Sequence, residues 1–172
     1  MRDLIKIDPL SLSENVIDII GKQWMLVSAG DRERFNTMTA SWGTIGFYSN
    51  EPVVTIFIRP ERYTYEFIES SDRFTLTVLE EGYRQALTTL GKLSGRDCDK
   101  ISQAGLTPQF TESGNPTFAE AKIVFECRKI FAQDMTEESF VEHACYEKWY
   151  GPGHGNLHKI YMGVIEACWV KG

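Results

Sequence analysis

A chain of 172 residues can bury a core of its own without disulfides or metals. Its 18 Lys and Arg against 24 Asp and Glu give a net charge of −6, which argues against the concentrated basic face that nucleic acid requires. No run approaches the ~20 apolar residues of a membrane span, the N-terminus lacks the apolar stretch of a secretory leader, and the four cysteines form no C-x-x-C pair. A cytoplasmic protein with reduced thiols, no metal, and no nucleic-acid or membrane partner is expected.

In chain order, Ser11 or Ser13 can cap a short helix over 11–21, with Val16, Ile19 and Ile20 on one face and Gly21 at its end. Trp24 to Ala29 alternates as a strand, and Gly30 to Glu33 reads as a turn. Thr37 to Trp42 is a second strand, and Pro52 to Ile58 a third, dense in β-branched residues. The loop Ser49-Asn50-Glu51-Pro52 lies between them. Thr64 can cap a short helix through Ile68. Arg73 to Leu79 is a strand, and Tyr83 to Leu90 a helix. A further helix from Arg96 to Gln103 stops before Gly105. Long strands cover Ala119 to Phe131 and His158 to Val170. Between them, Thr136 to Val141 suggests a short helix, and Gly151 to Gly155 a glycine-rich loop. Six strands without regular βαβ alternation fit a closed or nearly closed antiparallel barrel forming one domain over 1–172.

Two motifs stand out, and a β-hairpin between them would set them face to face. Asn36-Thr37-Met38-Thr39-Ala40-Ser41-Trp42-Gly43 supplies hydroxyls, small side chains and a single indole where an ordinary buried strand carries Val, Ile or Leu. Such a backbone suits close approach by a flat, polar ligand. Phe57-Ile58-Arg59-Pro60-Glu61-Arg62-Tyr63-Thr64 ends an apolar strand with two arginines, a plausible anion corner. Lys92, Ser94, Gly95 and Arg96 extend the basic set, since an anion wants fixed cations and the free N–H groups of a helix start. The competing reading is structural: Ser94 with Asp97 resembles a capping box, and surface arginines commonly sit in solvent. Trp42, Trp149 and Tyr150 can cover an apolar ring edge, although composition alone favours packing for them. The chain lacks a G-x-G-x-x-G after a strand, a nucleophile elbow and a Walker loop. His154 and His158 stand four apart among glycines and a proline, which forbids the helix that would align them on a metal.

These motifs, together with Lys92-Leu93-Ser94-Gly95-Arg96-Asp97, Asp99-Lys100, Glu147-Lys148-Trp149-Tyr150 and His158-Lys159-Ile160-Tyr161-Met162-Gly163, occur in order over about residues 25–165. In this the chain resembles the flavin reductase-like, FMN-binding split-barrel family, its flavoredoxin branch above all. The resemblance implies a mainly β fold with short helices, a six-stranded antiparallel split barrel, and a homodimer with FMN at or near the subunit interface. By the same likeness Thr39, Ala40, Ser41 and Trp42 line the ring largely through main-chain atoms, with Asn36, Thr37 and Met38 also among the cofactor-binding residues, while Phe57, Ile58 and Arg59 border the ring and ribityl chain. Arg59, Tyr63, Thr64, Lys92 and Ser94 hold the ribityl-phosphate arm, and Arg62, Gly95 and Trp149 complete the cofactor-binding set. His158 matches a position near the incoming substrate, whereas Gly151 to Asn156 departs from the family pattern.

With FMN bound, three readings stand: an NAD(P)H-dependent flavin reductase passing hydride to flavin N5, an electron carrier docking to a protein redox partner, or a non-catalytic flavin-binding domain. The acidic balance leans slightly toward a carrier that meets a basic partner.

Overall fold

The computed structural model describes residues 3–172. Among these described residues ten strands are present: β1 (Leu4–Ile7), β2 (Met25–Gly30), β3 (Phe35–Ala40), β4 (Gly43–Tyr48), β5 (Glu51–Ile58), β6 (Arg73–Leu79), β7 (Pro108–Phe110), β8 (Pro116–Phe118), β9 (Ala121–Asp134) and β10 (Lys159–Lys171). Five α-helical segments join them: α1 (Val16–Asp18), α2 (Thr64–Ser70), α3 (Arg84–Lys92), α4 (Lys100–Ala104) and α5 (His143–Tyr150). Short 3₁₀ turns occupy Pro9–Ser11 and Glu137–Ser139. None of the helices among the described residues is long and apolar enough to cross a membrane.

The main sheet runs β3-β2-β6-β9-β10-β5-β4, with β1 added on β10 and β7–β8 a separate hairpin. Every pairing in it is antiparallel. Strands β3 and β4 lie at opposite ends of this order, yet only Ser41 and Trp42 separate them in the chain. Two residues span only about 10 Å, so the sheet must curl until its ends meet. The result is a barrel whose seam, bridged by Ser41–Trp42, carries no ladder.

Period-2 alternation sends one face of each strand inward. Met25, Val27, Met38, Ala40, Val54, Ile56, Ile58, Phe74, Leu76, Val78, Ile123, Phe125, Tyr161 and Ile165 share one buried cluster there. On the outer side Leu26 and Leu79 pack against Ala86, Leu87 and Leu90 of α3, which seats that helix. Buried Glu126 accepts from Asn115 Nδ2 at 2.6 Å and from the Thr111 hydroxyl, anchoring the β7–β8 hairpin.

All six expected strands are present within a mainly antiparallel β fold, and β1 and β4 bring the main sheet to eight strands. The hairpin expected between the Asn36–Gly43 and Phe57–Thr64 motifs does not form. β5 pairs with β4 and β10, and β3 pairs with β2, so the motifs meet across the seam instead. The loop expected at Ser49-Asn50-Glu51-Pro52 narrows to a two-residue turn at Ser49 and Asn50, both at positive φ (52° and 62°). That geometry suits a tight hairpin.

The helix expected over 11–21 begins later. Asn15 caps it, its Oδ1 accepting from the N–H groups of Ile17 and Asp18. The coil then widens through Ile19–Gln23, past Gly21, and closes at Trp24 with φ 70°. Thr64 opens α2 as its first residue but does not cap it, because Tyr63 holds the cap position and the Thr64 hydroxyl accepts from Asn36. No capping box joins Ser94 to Asp97. The helix expected from Arg96 is the shorter α4, capped by Asp99 Oδ1, which accepts from Ser102 N at 3.0 Å. The helix expected at Thr136 to Val141 shrinks to the single turn Glu137–Ser139.

Candidate functional site

The seam sets the site. Because β3 pairs with β2 alone, its other main-chain edge is left without a strand partner. Its C-terminal end opens onto a cleft of about 390 Å³ lined by Met38, Thr39, Ala40, Ser41, Trp42, Phe57, Arg59, Trp149, His154 and His158. Cleft volumes in this range hold small ligands.

Three local features build it. Phe57 sits opposite Ile160 in the β5–β10 ladder, and Lys159 sits opposite both Ile58 and Asp134, so β5, β9 and β10 converge on one rim. The chain leaves the barrel at Asp134 and returns at Lys159, with Met135 N donating to His158 O at 3.1 Å. This excursion carries α5 over the seam, where Trp149 meets Trp42 edge to face at 5.2 Å. On the other side α3 abuts β3: Thr39 Oγ1 donates to Leu87 O at 2.5 Å, and Gly91 faces the Thr39 side chain.

Arg59 extends into the cleft. Its guanidinium donates to Trp149 O at 3.2 Å and to His154 O, stands 3.8 Å from Glu61, and lies over the Tyr150 ring at 5.3 Å. Glu61 in turn accepts from Asn156 Nδ2 at 3.2 Å. The Arg59–Glu61 pair therefore tethers the Gly151–Asn156 loop, and a Cβ at Gly155 would collide with the guanidinium at 2.7 Å. His158 rests against Trp42 at 5.4 Å, and its Nδ1 lies 2.7 Å from the Tyr150 hydroxyl. Burial, then the Arg59 charge, lower the His158 pKa to about 4, so the imidazole is neutral at neutral pH. Burial likewise raises the Tyr150 phenol and keeps it protonated.

The N-terminal end of β3 meets a second group, ~13 Å away by strand rise. Buried Asn36 donates from Nδ2 to Thr64 Oγ1 at 2.8 Å. Gly95 packs so closely that an added Cβ would stand 2.5 Å from Asn36 Oδ1 and 3.2 Å from the Tyr63 ring. Tyr63 Oη accepts from Arg34 at 2.8 Å, and Arg96 lies over its ring at 4.7 Å while bonding Glu61 O and Glu66. Ser94 Oγ accepts from Arg96 N at 3.2 Å. Below this turn, buried Lys100 donates to Leu90 O and Leu93 O at 3.3 and 3.2 Å, holding the end of α3. Burial and the nearby Arg62 lower its pKa to about 8.

The expected residues therefore sort into groups. Met38 to Trp42, Phe57, Arg59, Trp149 and His158 meet in the cleft. Asn36, Tyr63, Thr64, Ser94 and Gly95 form the adjoining corner, with Arg62 half-buried and Lys92 exposed at the end of α3. Thr37 and Ile58 face the core: Thr37 shares a 2.8 Å hydrogen bond with Ser28, and Ile58 is fully enclosed. Sequence reasoning set aside His154 and gave Lys100 no role. The Tyr146 and Tyr150 pair, one helical turn apart, was the available signal for α5.

The model for the flavin reductase like domain matches residues 18–172. The high molecular weight rubredoxin of Moorella thermoacetica is 28% identical over 101 residues, which cover 58% of this chain and 43% of that protein. The chain spans about two-fifths of the length of the curated relatives it matches. An FMN-binding domain of a flavin reductases-like enzyme from Shewanella baltica superposes with a TM-score of 0.70 at 18% identity, covering 98% of this chain and 77% of that one. Flavoredoxin from Methanosarcina acetivorans gives 0.67 at 18% identity, covering 97% and 75%. At these identities the structural likeness is one of fold.

Proposed function

This chain belongs to the flavin reductase-like domain family, and we propose that it binds FMN at the seam and works as an oxidoreductase drawing hydride from NADH or NADPH. The observation that carries this reading is the convergence of an unpaired main-chain edge, two indoles and a guanidinium on one cleft. Those features suit the group. The Thr39–Trp42 backbone offers hydrogen-bonding atoms to a flat polar ring edge, Trp42 and Trp149 would cover an apolar one, and Tyr63, Arg62, Lys92 and Ser94, beside the turn that the buried Asn36–Thr64 pair and Gly95 hold in place, would receive a phosphate tail. Arg59 lines the cleft, and Phe57 would border the ring.

When bound, FMN supplies the hydride and electron chemistry that no side chain here provides. The chain contributes position and environment. Trp42, Trp149 and Phe57 would cover the bound ring and shield it from water, Arg59 provides a fixed positive charge, and neutral His158 adds polarity without charge. A homodimer and cytoplasmic residence belong to the same proposal.

A second reading has its own support: a carrier exchanging electrons with a protein partner. The net charge of −6 suits docking to a basic surface, and two of the similar proteins are a flavoredoxin and a rubredoxin by name. Adding NADH or NADPH to the FMN-loaded protein without air separates the two. Bleaching of the visible bands within seconds is expected for the reductase. Colour that persists until dithionite is added would contradict it in favour of the carrier.

A further inference from the structure

The Tyr150–His158 pair carries a consequence for what the cleft recognises beside FMN, and it rests on the reading above. His158 belongs to the cleft lining, while Tyr150 is buried beneath it with its hydroxyl 2.7 Å from His158 Nδ1. A neutral imidazole carries one N–H, and the hydrogen bond made by one nitrogen decides which nitrogen holds it. Two arrangements satisfy the 2.7 Å contact. In one the phenol donates to Nδ1, leaving the proton on Nε2. In the other Nδ1–H donates to the phenol oxygen, and the phenol proton must turn to Met135 Sδ at 4.0 Å. A thioether is a weak acceptor at such a distance, whereas an imidazole lone pair at 2.7 Å is a strong one. The first arrangement therefore prevails.

The second nitrogen is then open to the cleft. Nε2 makes no hydrogen bond to the described residues, and no buried side-chain nitrogen or oxygen among them lacks a partner, so Nε2 is reached from solvent. Around the ring stand Trp42, Phe57 and Tyr150, with Arg59 and Glu61 the charged neighbours. Arg59 opposes protonation of the ring, and the aromatic walls hold its plane.

We propose that Tyr150 is a positioning residue that locks His158 as the Nε2–H tautomer, so that the cleft presents a neutral hydrogen-bond donor to an uncharged carbonyl or carboxamide oxygen on the second substrate. A neutral donor matches a neutral oxygen, and the Arg59 guanidinium that would otherwise attract a carboxylate is engaged by Glu61, His154 O and Trp149 O. Nicotinamide, whose carboxamide oxygen is such an acceptor, is the probe. Tyr150 acts through His158 and touches neither ligand.

Nitrogen-15 NMR of the ligand-free protein at neutral pH reads the tautomer directly, without FMN. The expected result is a pyridine-like Nδ1 and a protonated Nε2 for His158, changing in Tyr150→Phe to a mixture of tautomers. A protonated Nδ1 in the unmodified protein overturns the proposal, as does an unchanged tautomer in a folded Tyr150→Phe. If that variant does not fold, the unmodified protein still decides: a phenolic proton coupled to His158 Nδ1 supports the lock, and its absence overturns it. Titrating nicotinamide into the FMN-loaded protein should shift the Nε2–H signal, more than benzoate does. No shift, or a larger one with benzoate, overturns the substrate class. Failure of FMN to bind would remove the functional reading and leave the tautomer result standing.

Discussion

At the scale of single residues, the corner beside the cleft depends on one buried contact. Asn36 donates to Thr64 with both side chains enclosed. Thr64→Val keeps the shape, removes the acceptor and strands a buried amide N–H, which costs ~1–3 kcal/mol. Urea unfolding should show that loss, and an unchanged midpoint would refute the role given to the pair. Lys100 supplies a pH-dependent counterpart. With its pKa lowered from 10.5 to about 8, the folded chain releases this proton while the unfolded chain still holds it. Stability from this site therefore rises with pH between 8 and 10.5, on the order of 2 kcal/mol. Subtracting the pH profile of Lys100→Met, which keeps the aliphatic stem, should reveal the rise. A flat difference would contradict it.

At the scale of elements, the turn after α3 is where packing tolerates least. An added Cβ at Gly95 would meet Asn36 Oδ1 at 2.5 Å, so Gly95→Ala must displace either the turn or the buried Asn36 amide. A cost of ~1–3 kcal/mol follows, with weaker FMN binding, measured by thermal melting and by flavin titration. Equal stability with equal affinity would show that the contact does not matter. The elements legible in the sequence were those with one strong signal. Val53 to Ile58 is dense in β-branched residues, and Arg73 to Leu79 has the boundaries expected for it. β4 was hidden because its glycines, Gly43 and Gly46, dilute the alternation, and because Ser49-Asn50 reaches positive φ without the Asn-Gly pair that marks such turns. α5 was hidden because its start, Glu142, makes no side-chain cap. Ser94 and Asp97 carried a capping pattern, but Asp99 two residues later took that role.

For the whole molecule, the decisive fact is long-range and absent from any local pattern. The Asn36–Gly43 motif was legible as unusual, and its conjunction with Arg59 was anticipated, but through the wrong geometry. A hairpin would have paired β3 with β5. The structure instead places β3 and β4 at opposite ends of one sheet and curls them together, leaving the second edge of β3 unpaired at a seam. That closure leaves one main-chain edge of β3 without a strand partner, the edge at which the proposed FMN ring would lie. It also explains why Trp149, more than a hundred residues away in sequence, lies beside Trp42.

The most direct measurement is a fluorescence titration of the protein with FMN, comparing the unmodified chain with a Trp42→Phe/Trp149→Phe double variant. The seam site predicts saturable one-to-one binding, strong quenching of tryptophan emission in the unmodified chain, and loss of most of that quenching in the variant while Trp24 and Trp169 remain. No saturable binding, or equal quenching in both proteins, would contradict an FMN site at the seam.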